Sequence, residues 1–198
     1  MKKAFTIVEV SILFVIFLIV AFLVAPLSLD DTIQVKNASR WRGVQNDFVN
    51  IFYSVSNQYS ADSEDENVEA DFGKTFDAVM NGEIQADIGP YKITYLNGTF
   101  PTGEYKFNNF KLTHSNAVVA YKLNVAAQPD AIGIMMYDVN GETGPNVWGK
   151  DVFGYNIYTD RFEPFCKKDA LSIQEKDCSR SGTGLCCSNY YLIGGKLK

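Results

Sequence analysis

The apolar and polar positions divide the chain into two textures. Residues 10–29 are apolar almost without interruption; Lys2 and Lys3 precede them, Glu9 stands at their start, and no further charge appears until Asp30. At about 1.5 Å per residue, a helix over 5–29 would extend roughly 37 Å, more than the roughly 30 Å of a bilayer core. The pattern therefore predicts a membrane-spanning helix carrying one carboxylate. Beyond Pro26, Trp41, Val44, Phe48, Ile51, Phe52, Val55 and Tyr59 recur at spacings of three and four, with Arg40, Arg42, Gln45, Asn46 and Asp47 on the opposite face. That spacing predicts an amphipathic continuation to residue 60 with its apolar side on a sheet.

From Asp62 to Asp71 come six acids (Asp62, Glu64, Asp65, Glu66, Glu69, Asp71) and no base, which reads as a solvated loop. A short helix is predicted over 72–87 around Phe76, Val79 and Met80, stopping at Asn81-Gly82. Residues 91–95 alternate like a strand, Asn97-Gly98 is a hairpin signal, and 105–112, 117–125 and 131–137 continue the β-rich texture. The expected fold class is α+β: a long N-terminal helix, membrane-spanning in its first half and amphipathic in its second, packed on an antiparallel β-sheet, with a disulfide-stapled C-terminal loop. Residues 61–198 are enough for one globular domain.

Charge and cysteine usage narrow the function. The net charge of −5, with 18 Lys and Arg that nowhere cluster densely, argues against a nucleic-acid surface, so no nucleic-acid partner is expected. The one histidine, His114, is accompanied by no nucleophile elbow, zinc-protease motif or phosphate-binding loop, so no enzymatic activity is expected. Cys166, Cys178, Cys186 and Cys187 all fall in the last 33 residues, a grouping suited to disulfides outside the cytoplasm. Three pairings exist. A bridge between adjacent Cys186 and Cys187 would be strained, and of the two that remain the expected one is Cys166 with Cys187 and Cys178 with Cys186.

The N-terminus fits neither a secretory signal nor a plain anchor. A signal has an apolar region of about 7–15 residues and a small-x-small cleavage site, and Leu23-Val24-Ala25 lacks the first small residue. A plain anchor leaves Glu9 unexplained, because an intramembrane carboxylate costs on the order of 2.5–3.5 kcal/mol and calls for a partner. The run Ala4-Phe5-Thr6-Ile7-Val8-Glu9 after a short basic leader resembles the processing site of type IV pilin-like proteins, which include pilins and the pseudopilins of type II secretion. The resemblance implies a cytoplasmic leader of residues 1–4, cleavage between Ala4 and Phe5 by a prepilin peptidase, and N-methylation of Phe5. It gives Glu9 an assembly role, pairing with the Phe5 amine of a neighbouring subunit. Pro26 matches a helix-kinking proline of the family, and it removes one helical hydrogen bond in any case. The family usually carries glycine before the cut; here the small residue is Ala4.

Asp138, Asn140, Glu142, Asn146 and Asp151 lie on a Gly- and Pro-rich stretch, an oxygen set that hard cations such as calcium prefer. It is not an EF-hand: Gly141 takes the fourth loop position instead of the sixth, and Gly149 the twelfth. The stretch also resembles a loop of the pilin-like globular domain that holds calcium in some relatives and forms only a structured turn in others. The expectation is thus a structural subunit of a type IV pilus or type II secretion pseudopilus, inserted in the bacterial inner membrane as a single-pass protein. Its head would be extracytoplasmic, and after assembly the filament would stand in the periplasm or at the cell surface. Expected partners are homologous pilin subunits, the peptidase and methyltransferase, and an inner-membrane assembly platform. The alternative is an extracytoplasmic binding or enzymatic domain for which the helix is only a tether.

Overall fold

A computed structural model describes residues 7–62, 68–125 and 128–197, with side chains except at 9, 22–31, 47, 52, 56–62 and 68–71. The elements are α1 (Ile7–Asp62), α2 (Val68–Glu83), β1 (Ile84–Ile88), a 3-10 turn (Gly103–Tyr105), β2 (Phe110–Thr113), β3 (Val118–Leu123), β4 (Gly133–Asp138), β5 (Val152–Ile157), β6 (Phe162–Pro164), α3 (Leu171–Asp177) and α4 (Cys187–Tyr190). Residues 1–36 and 37–198 form separate compact units. The strands make one six-stranded antiparallel meander in sequence order.

Strand side chains alternate between two buried faces. Val119, Met135, Phe153, Tyr155 and Ile157 point to the side covered by Trp41, Phe48 and Val55 of α1 and by Phe72, Phe76 and Met80 of α2. Val118, Ala120, Ile134, Met136 and Val152 point to the other side, where Ile93, Phe107, Phe110, Trp148 and Phe165 cover them. Trp41 is the main anchor of the first layer. Its ring stacks on Phe153 at 4.8 Å and lies 4.9 Å from Tyr155, while its Nε1–H donates to the Ser188 carbonyl at 2.8 Å. The Ser188 hydroxyl in turn accepts the Gly154 N–H at 3.0 Å, so helix, strand and C-terminal segment meet at one point.

The structure corrects the sequence expectation in several places. Among the described residues no helix is long and apolar enough to cross a membrane. The helix with a membrane-spanning half over 5–29 is therefore not supported, and neither is the single-pass inner-membrane location. Residues 91–95, expected as a strand, are irregular apart from a bridge between Thr94 and Val147. Pro90 removes a ladder donor just before this stretch, and the true edge strand is β1.

The cysteine pairing also differs: Cys166 joins Cys186 and Cys178 joins Cys187. Of the adjacent pair, Cys187 shares a core with Cys178 and not with Cys166, which is why the expected pairing fails. Cys187 and Cys178 are buried in the helix-side core, whereas Cys166 packs against the opposite one.

Trp41→Ala is expected to cost about 3–5 kcal/mol, since it opens a large void and leaves the Ser188 carbonyl without its donor. Urea unfolding followed by circular dichroism measures it.

Candidate metal centre

The strongest cluster of chemistry lies in the connection between β4 and β5. The register pairs Asp138 with Val152, so the last residue of β4 and the residue just before β5, Asp151, face each other across the loop mouth. Loop backbone closes the gap: Val139 N–H donates to the Asp151 carbonyl at 3.0 Å, and Gly149 N–H to the Val152 carbonyl at 2.9 Å. Gly141 and Gly149 have φ of +71 and +80, a region that disfavours side chains, and a Cβ on Gly141 would collide with the Asn116 carbonyl oxygen.

Both carboxylates are completely buried. Asp138 accepts the Asn140 N–H at 3.0 Å, and its other oxygen lies 2.8 Å from the Tyr91 hydroxyl. Asp151 accepts from the N–H groups of Asn146, at 2.9 Å, and Val147, at 2.6 Å, and from the Asn140 side-chain amide at 3.3 Å. Burial, and after it the negative charge of Asp151, pushes the Asp138 carboxyl up to about 8, against the pull of the Tyr91 hydrogen bond. Burial likewise raises Asp151, and the N–H groups of Val147 and Asn146 oppose it. The Tyr91 phenol is raised by its own burial and by Asp138, and stays protonated.

The side-chain oxygens of Asn140 and Asn146 are buried and have no hydrogen-bond partner among the described residues. A buried carbonyl left so costs about 1–3 kcal/mol. Two buried carboxylates and two orphaned amide oxygens on one loop suit a hard cation, which would fill the empty lone pairs and offset the repulsion. The residues present therefore fit calcium at four of the five expected positions. Glu142 is not brought in: it stands exposed on the rim.

A second group, Cys166, Asp169 and Cys186, also has ligand atoms within 4.8 Å of one another. Its two sulfurs are joined to each other in a disulfide, which removes the thiolates a metal would need.

Of the other sequence-selected positions, Ala4 and Phe5 lie outside the described residues, and Glu9 and Pro26 lie within α1 at positions whose side chains are not described. His114 is exposed in a turn. Sequence reasoning missed Tyr91, whose hydroxyl caps Asp138 from a segment 47 residues earlier in the chain. No local pattern marks that contact. No known family model, no characterised protein and no solved structure matches this chain.

The pH dependence follows from the direction of the two shifts. A carboxyl raised in the folded state holds a proton that the unfolded chain releases from about pH 4 upward, so the metal-free protein loses stability as pH rises from about 4 to about 8. Calcium takes the proton's place. At a free concentration roughly 100 times its Kd at pH 8 it is expected to raise Tm by about 5–10 °C at that pH, and by less at pH 5 at the same concentration, where protons compete for the carboxylates. Scanning calorimetry with calcium or with chelator checks this, and the joint Asp138→Asn and Asp151→Asn variant should not respond.

Proposed function

We propose that this chain is a structural subunit of a filament of the type IV pilin-like class, a pilus or a secretion pseudopilus, and that copies assemble through the apolar start of α1. One observation carries the reading. Every large apolar side chain described from Ile7 to Val20 is 41–86% exposed in the single chain, Phe14 and Phe17 by 63% and 68%. Exposure of consecutive residues means that every side of the helix is apolar, and such a helix needs cover all round. The same segment of neighbouring copies supplies that cover when helices bundle about a common axis.

In this reading a peptidase cuts between Ala4 and Phe5, and Glu9 pairs with the new Phe5 amine of the adjacent subunit, which fixes the axial step between copies. The sheet domain is the outward-facing head. Calcium at Asp138, Asn140, Asn146 and Asp151 braces the loop between its central strands, and the two disulfides staple its end.

Mass analysis of the assembled protein is expected to give a chain beginning at methylated Phe5; a filament built from chains that retain Met1 would overturn the assignment. Glu9→Ala should leave cleavage intact and lower filament incorporation by roughly tenfold, since an apolar core pays dearly for an unpaired charge on the remaining amine. Undiminished incorporation would remove Glu9 from the role given to it.

A further inference from the structure

On the face of the sheet away from the helices lies an open groove of about 610 Å³, walled by the rings of Tyr91, Phe100, Tyr105 and Phe110. Among the described residues the charged side chains lining it are Lys92 and Lys106, although the chain as a whole carries −5. Lys122, its ammonium 5.2 Å from the centre of the Phe107 ring, stands behind the wall, where the Glu104 carboxylate acts on it, so the rim's positive charge comes from Lys92 and Lys106. Phe100 presents a ring that is 65% exposed. An apolar trough with a positive rim on an acidic protein selects a ligand that has apolar faces and negative charge.

The backbone says what kind of ligand. The β1–β2 ladder ends at the pair Ile88 and Phe110. Beyond it, among the described residues, no backbone hydrogen bond joins 89–93 to 100–109, and the groove opens between these two stretches. Ile93 and Phe107 are each only 7% exposed, yet among the described residues neither backbone N–H has a hydrogen-bond partner. Backbone donors in such positions are normally paired. Sugars would use the rings and lysines and leave these amides idle; an extended peptide uses all three.

We propose that this groove binds an extended acidic peptide of a partner protein. The peptide lies between the two diverging stretches and takes up their free backbone donors, with apolar side chains against the rings and carboxylates at Lys92 and Lys106. The site is separate from the apolar start of α1 and does not depend on filament assembly.

The test uses the full, oxidised chain and a fluorescein-labelled peptide alternating glutamate and valine, with a lysine-for-glutamate peptide and a uronic-acid oligosaccharide as competitors. The acidic peptide is expected to bind, and the lysine form roughly tenfold more weakly or worse. The joint Lys92→Glu and Lys106→Glu variant should reverse that order. Hydrogen exchange on the unaltered chain is a second readout that requires no variant: Ile93 and Phe107 amides should become protected when the acidic peptide is bound. Equal binding of both peptides, an unchanged preference in a folded variant, no protection of those amides, or binding of the oligosaccharide alone would overturn the proposal.

Discussion

The stacking of Trp41 on Phe153 holds together parts of residues 37–198 that are far apart in sequence. A helix residue, a residue of β5 and the Ser188 carbonyl after the second disulfide all depend on that one indole. Its burial removes a large apolar surface from water, and its N–H satisfies a carbonyl that would otherwise be orphaned. Because Phe153 belongs to β5, fixing it also fixes the strand that begins directly after Asp151. The helix-side core therefore sets one wall of the loop on which the two buried carboxylates meet.

That loop is where burial and charge conflict. The register of β4 and β5 brings Asp138 and Asp151 together at the end of two strands whose faces are both covered, so water cannot solvate them. Hydrogen bonds from Tyr91, Asn140, Asn146 and Val147 offset part of the cost. They do not remove the repulsion, and two amide oxygens on the same loop still lack donors. A bound cation resolves both at once, while protons resolve only the first. The tension follows from covering a meander on both faces and ending its central strands in carboxylates.

The sequence revealed some of this and hid the rest for physical reasons. The helical spacing of Trp41, Phe48 and Val55 and the oxygen-rich stretch from Asp138 to Asp151 were readable because both signals are local. β5 was hidden: Val152–Ile157 is buried along its whole length, so it lacks the alternation that marks a half-exposed strand, and Gly154 interrupts its composition. The Gly154 position is needed because the Phe165 ring occupies the space a Cβ would take. The cysteine pairing depends on which core each sulfur enters, and spacing carries no such information. Glu142 looked equivalent to its neighbours in composition, but the turn at Gly141 leaves it on the rim.

The apolar start of α1 and the sheet domain belong to different compact units. One offers a surface that only other protein copies would cover under the proposed function; the other has side chains packed on both sheet faces and is held by two disulfides. A cryo-electron-microscopy map of filaments assembled from the processed chain tests that division most directly. The account predicts residues 10–21 of every copy at the filament axis, Glu9 beside the Phe5 amine of a neighbour, and the sheet domains outside. A map with those residues facing solvent, or with copies joined through the sheet domains alone, would contradict it.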